Sequence, residues 1–508
     1  MPLIQPYKLA AGSILKYKID TSIILLLISI FLGLCYLILS GYAFITALLL
    51  CSIIILGLIK PEYTYYILLP VLVEEMVHFF VTIPPIYQVR IYPYFFPLIL
   101  TMLGIMVTKI VRKEHLVHTP VDAILWIIVT CELISVAWSP NLKLAIWLSL
   151  FIISNLILFH VITNIVINET IIRRSVYVLI LGGIITSTAI ILSQWIELSK
   201  IIYLTNRSGF NFQFGEQVDR PAGLGGVDHV AGFVSISLFL ALGSMVYERR
   251  WKVKAIYCII ILYMFTGIIL TTARGVVIGV SVAYLFFISI HSHFRNKFIK
   301  YLFIFFCVSL FLVLLVKPGF IDRMLIGFGY TGDLMFSEQD TYSGTEASTS
   351  EGEGLSGLEM RKIWWLNGLN EMLKHPIKII FGLGTGGFLY YSKGYNTVCS
   401  PEVNSVSFAF FYDLGVFGAI LLIILVYLII SNIYYYLKNA KKGYCYYILL
   451  ASTAFLLSET GVHGLIDYDL NSYGSKYFWF PLAFTMAVLN VVKAENNHEK
   501  SFSKDIHK

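Results

Sequence analysis

The strongest constraint in this sequence is a succession of apolar runs, each near twenty residues long, that follow one another from Thr21 to Val492 with little between them. A helix rises about 1.5 Å per residue, so about 20 residues cross a hydrocarbon core of roughly 30 Å. Lipid offers backbone N–H and C=O groups no partner, and a helix satisfies them within itself. The composition agrees, with 58% hydrophobic and 13% charged residues, where soluble domains carry about a quarter charged. The expected fold is all-α: a polytopic integral membrane protein of about fourteen transmembrane helices, forming a single membrane domain over residues 1–508.

The expected spans run approximately over 21–40, 42–59, 63–83, 93–111, 121–138, 143–165, 174–195, 227–247, 255–272, 276–291, 301–316, 405–430, 444–461 and 477–493. Lys8, Lys16 and Lys18 precede the first, which is too long for a signal-peptide core and reads as an uncleaved signal anchor. No internal repeat and no matched pair of interrupted helices is evident, unlike transporters built from repeated halves.

Threading the spans in alternation collects Lys109, Arg112, Lys113, Arg173, Arg174, the Glu248–Lys254 cluster, Arg295, Lys297, Lys300, Lys438, Lys441 and Lys442 on one side. The positive-inside rule makes that side the cytoplasm. Both termini then lie inside, including a polar tail over 494–508. The formal charge of +7 comes from these segment ends. No basic stripe interleaved with aromatics is present, so no nucleic-acid partner is expected. The cysteines lie mostly in apolar runs without CxxC or Cys/His spacing, so neither a disulfide framework nor a metal site is expected. Cys399 stands alone in an outer loop.

The opposite side receives two long segments, about 196–226 and about 317–404. Loops of such length are usually functional or disordered. Asp333–Gly357 is rich in Gly, Ser, Thr and Glu and is expected to be mobile. The next stretch, Glu359–Lys374, places Ile363, Leu366, Leu369 and Leu373 at helical spacing with Trp364 and Trp365 among them, as in an amphipathic interfacial helix.

Several residues could carry chemistry. Arg274 stands between two spans, and a guanidinium at that depth needs an anion or dipole. A lipid diphosphate fits its planar fork, and so does a headgroup or a carboxylate. Arg220 opens a glycine-rich turn that enters a helix through Asp228 and His229. This is an anion site by its free N–H groups, or an ordinary junction capped by Asp228. Arg361 begins the interfacial helix, and Phe381–Gly387 is a glycine run that suits phosphate or a simple turn. Glu74, Glu75 and His78 fall inside an expected span, as a proton path or a hydrogen-bonded cluster. Glu402, Asp413, His463, Asp467 and Asp469 are loop groups, any of which could accept a proton from an acceptor hydroxyl.

In chain order the pieces resemble the O-antigen ligase and polymerase superfamily. The matching stretches are Trp138-Ser139-Pro140, Arg220-Pro221-Ala222-Gly223, Thr272-Ala273-Arg274-Gly275 and Arg361-Lys362-Ile363-Trp364. They continue with His375-Pro376, Phe381-Gly382-Leu383-Gly384, Val403-Asn404 and Asp413-Leu414-Gly415-Val416-Phe417-Gly418. The resemblance implies a metal-independent membrane glycosyltransferase, without cofactor, in the cytoplasmic membrane, with its site under the long outer loop. It implies a polyprenyl-diphosphate-linked glycan as donor and a glycan or glycolipid as acceptor, among membrane lipids. Arg220 and Arg274 would hold the diphosphate and Arg361 would assist, while Asp228, His229, Asn404 and Asp413 are candidates for substrate contact.

One departure tilts the reading from ligase toward polymerase. Ligases usually carry a His before the Asn that closes the long loop, and here that residue is Val403. Glu402 or His463 then becomes the candidate base. The alternative from another class is a lipid-linked oligosaccharide flippase or other polysaccharide transporter, which would set its polar residues at mid-bilayer rather than at one face.

Overall fold

A computed structural model describes residues 57–72, 79–83, 86–91, 94–192, 227–271, 273–290, 357–393, 406–463 and 476–506. Helix α1 (Pro61–Val71) leads to a two-stranded antiparallel hairpin, β1 (Phe79–Ile83) and β2 (Ile86–Ile91). Then come α2 (Phe95–Arg112), α3 (Asp122–Ser135) with a 3-10 turn over Val136–Trp138, α4 (Leu142–Ile165) and α5 (Glu169–Leu192). They are followed by α6 (Val227–Tyr247), α7 (Trp251–Leu270) and α8 (Arg274–Ile290). The long loop contributes α9 (Gly357–Leu373), α10 (Pro376–Phe381) and α11 (Gly387–Lys393). Last come α12 (Val406–Asn439), α13 (Tyr444–Leu456) running into a π-helix over Leu457–His463, and α14 (Lys476–Ile506).

Among the described residues seven helices are long and apolar enough to cross a membrane, with Gly275–Ile290 as a shorter apolar helix. The expected spans 21–40 and 301–316, and nearly all of 42–59, lie outside the described residues. The expected span 63–83 is corrected. The helix ends at Val71, just after Pro70, and the chain then forms the hairpin, with Phe79 opposite Ile91 and Ile83 opposite Ile86. β-branched and aromatic residues on either side of Pro84-Pro85 favour strands over a continued helix. The described residues are thus helical apart from this hairpin and the joining turns. At the other end of the chain, α14 continues to Ile506, through the segment expected to be a polar tail.

Local sequence sets several helix ends. Asn141 Oδ1 accepts from the Leu144 N–H and Asn168 Oδ1 from the Ile171 N–H, each supplying an acceptor to a helix start. α2 stops where Lys113 turns left-handed. The centre of the bundle is α6, α13 and α14, apolar on nearly every face and buried accordingly. α12 instead leaves Ile423 and Tyr427 each 67% exposed, as expected of a helix whose outer face meets lipid.

Contacts fix which helix ends lie together. At one end Asn164 Oδ1 accepts from the Val117 N–H, Asn490 Nδ2 donates to the His118 carbonyl, and the Arg173 guanidinium lies 3.8 Å from the Tyr444 ring centre. This end carries Lys109, Arg112, Arg250, Lys252 and Lys438. The opposite end holds the hairpin, the starts of α6 and α8, the π-helix and the three loop helices.

Candidate functional site

The loop helices are seated by a small apolar cluster of Leu148, Met372, Leu383, Phe388 and Tyr412. Phe388 and Tyr412 stack with ring centres 4.5 Å apart, and α9 meets them at Gly368, where a Cβ would come within 2.8 Å of Phe388. The buried side of α9 is therefore Gly368 and Met372, with Trp365 and Leu369 half-buried, while Leu366 and Leu373 point outward. Of the expected apolar set Ile363, Leu366, Leu369 and Leu373, Leu369 turns toward this cluster. A glycine carries no hydropathy signal, yet its missing side chain admits two aromatic rings.

Between α10 and α11 the glycine run makes a turn that is locked to two helices. Leu383 N–H donates to the Tyr412 carbonyl (2.7 Å), Gly384 N–H to the Asp413 carbonyl (3.1 Å) and Thr385 N–H to Ser135 Oγ (3.0 Å). Gly386 N–H donates to Asp413 Oδ2 (3.3 Å) and Gly387 N–H to the Gly384 carbonyl (2.7 Å). Each successive donor has a protein acceptor, so this run is a docking turn, and the phosphate-cradle alternative is set aside. Gly384 has φ +81°, and a Cβ there would lie 2.7 Å from the Ser135 carbonyl. Gly415, at φ +69°, kinks α12 where the turn presses in. Trp138-Ser139-Pro140, Phe381–Gly384 and Asp413–Gly418, distant in sequence, thus meet in one joint.

A second convergence lies at the same end of the bundle. α8 packs against the π-helix so closely that a Cβ on Gly279 would sit 2.7 Å from Ser458 Oγ. Beside them Ser235 Oγ of α6 lies 2.8 Å from Glu459 Oε1, with both residues fully buried. From this meeting point each element runs outward to a residue singled out in the sequence. Asp228 and His229 are about two turns up α6, Arg274 opens α8 more than one turn above Gly279, and His463 ends the π-helix about one turn above Glu459. π-turns are rare and frequent at functional sites. α8 begins at Arg274, and a helix start carries a partial positive charge.

The structure thus brings Arg274, Asp228, His229 and His463 to one end of three packed elements. Arg361 lies near the start of α9, which packs on α10, α11 and α12 instead. Asp413 is buried in the glycine-turn joint. Arg220, Glu402, Val403, Asn404, Asp467 and Asp469 lie outside the described residues, as do Glu74, Glu75, His78 and Cys399. The sequence reading missed Glu459 and Glu132, two carboxylates within expected spans, although a charge at that depth is itself a signal. It also missed Lys476, 1% exposed at the start of α14 with Nζ 5.7 Å from the Tyr94 ring centre.

At the opposite end, Glu169, Cys445 and Glu495 bring possible ligand atoms within 4.8 Å of one another. Arg173 forms an ion pair with Glu169 there.

Residues 259–423 match the family model for O-antigen ligase. That stretch, roughly a third of the chain, is similar to the O-antigen ligase domain. It includes Arg274, Arg361, the glycine turn and Asp413, while the Trp138 and Arg220 motifs precede it. No curated protein matches the chain.

Proposed function

We propose that this integral membrane protein transfers a glycan from a polyprenyl-diphosphate carrier at the outer face of the cytoplasmic membrane, joining repeat units as an O-antigen or surface-polysaccharide polymerase. The observation that carries the reading is Arg274. It lies inside the O-antigen ligase family match and opens a helix at the meeting of α6, α8 and the π-helix.

In this reading Arg274 and Arg220 hold the donor diphosphate, and their fixed charges neutralise the charge that grows on the leaving group. The sugar C1–O bond to the diphosphate breaks, a bond forms to an acceptor hydroxyl, and the hydroxyl proton passes to a base. His463 or Glu402 takes that proton, because Val403 offers no imidazole. Arg361 assists from α9, and Asp228, His229 and Asn404 contact sugar or phosphate. Asp413 acts by holding the glycine turn. No metal is needed, since guanidinium groups supply the positive charge. The basic end of the bundle faces the cytoplasm and the loop helices face outward.

Deleting the gene and running surface glycans on a gel tests the reading. Collapse of the ladder to a single attached repeat supports a polymerase, and long chains stranded on the carrier support a ligase. Unpolymerised carrier-linked repeats held on the cytoplasmic face would replace the enzyme reading with a flippase.

A further inference from the structure

The joint between the long loop and the bundle has a polar pin at its centre. Thr385 is fully buried, and each of its polar atoms is engaged. Its N–H donates to Ser135 Oγ (3.0 Å), and its carbonyl accepts from Ser139 Oγ (2.8 Å). Its hydroxyl lies 2.8 Å from both the backbone carbonyl and carboxylate Oε2 of Glu132, and 2.7 Å from Ser135 Oγ. Glu132 is 1% exposed on α3, a position where a carboxylate is costly. A leucine would bury the same volume without that cost, but it would give the turn no directional hold. Backbone bonds to Tyr412 and Asp413 tie the turn to α12, and the bonds of Thr385 tie it to α3 and to Ser139; a buried polar network satisfied in this way is rigid.

We infer that Thr385 is a positioning residue for the reaction, through its hydroxyl bond to Glu132. The pin fixes α10 and α11, and through their packing α9, at one height and rotation over the outer end of α3, α4 and α12. Arg361 is carried on α9, so its reach toward a bound diphosphate depends on that register. The inference rests on the glycan-transfer reading above. A misplacement near 1 Å costs about a hundredfold in rate, and it shows in kcat when the displaced group acts in the transition state.

The test uses the full-length protein in vesicles, with carrier-linked glycan isolated from the deletion strain as donor. Thr385→Val keeps the shape and removes the hydroxyl, and Thr385→Ser restores it. The expected result is a drop of about ten- to a hundredfold in kcat for Thr385→Val with KM little changed, and recovery in Thr385→Ser. Limited trypsin digestion of the same samples gives a readout that needs no activity. Cleavage after Lys374 and Lys378 should be faster in Thr385→Val and normal in Thr385→Ser. Wild-type kcat in Thr385→Val, or an equal loss in both variants, would overturn the inference while leaving transfer intact. A wild-type protein that transfers no glycan would overturn the functional reading and this inference with it.

Discussion

Ser235 and Glu459 face each other across 2.8 Å, a hydroxyl of α6 against a carboxylate in the π-helix, both sealed from solvent. Ser235 Oγ also lies 2.8 Å from the Gly232 carbonyl, so its proton is shared within a tight polar centre. Removing a donor from a buried carboxylate costs about 1–3 kcal/mol. Ser235→Ala should lower the stability of the detergent-solubilised protein by that amount. Ser281→Ala, whose hydroxyl bonds among the described residues to the Val277 carbonyl of its own helix, should stay within about 0.5 kcal/mol. Denaturation curves for the two variants check the difference, and equal effects would argue against a special role for the Glu459 contact.

Gly384→Ala should undock the loop without emptying the membrane of protein. A Cβ there meets the Ser135 carbonyl and the Ser139 backbone at under 3 Å, and its φ of +81° is strained for alanine. Backbone strain of this kind costs about 1–3 kcal/mol. Faster tryptic cleavage after Lys374 in a normally inserted protein is the expected outcome.

The loop should also respond to acid. Hydrogen bonds from Lys374 and then Lys378 hold the Glu371 carboxyl below the usual carboxylate range. A carboxyl with a depressed folded-state value stabilises fully above its unfolded value, near pH 4.3, and loses that contribution as pH falls through the lower folded value. The unfolding midpoint of wild type relative to Glu371→Gln should therefore be constant from about pH 6 upward and fall below about pH 4. The difference should stay under about 1 kcal/mol, since the lysine partners are partly solvated.

Chelation separates the proposed chemistry from metal-assisted transfer. With guanidinium groups supplying positive charge, excess EDTA should leave the transfer rate of the purified protein unchanged. Loss on chelation and recovery on adding a divalent cation would contradict the assignment of the arginines.

Much of the fold was legible because apolar runs bounded by polar turns have one simple solution in lipid. The span expected over 227–247 is α6 over Val227–Tyr247, and 143–165 differs from α4 by one residue. The expectation failed at 63–83, where length alone was counted and the prolines at 70, 84 and 85 were not weighed. The site was less legible, because its contacts are non-local. Thr385 meets Glu132 across 253 positions and Ser235 meets Glu459 across 224, and nothing in either neighbourhood names its partner. The glycine run suited a phosphate loop or a simple turn equally, because turns and anion cradles both use glycine. Only the acceptors on its N–H groups tell them apart.

The most direct test of the central claim is glycan transfer by an Arg274→Ala protein shown to be inserted at wild-type level, using carrier-linked donor from the deletion strain. The account predicts a loss of about a hundredfold or more, as for removal of a group that stabilises developing charge. Transfer at the wild-type rate by the stably inserted variant would contradict it.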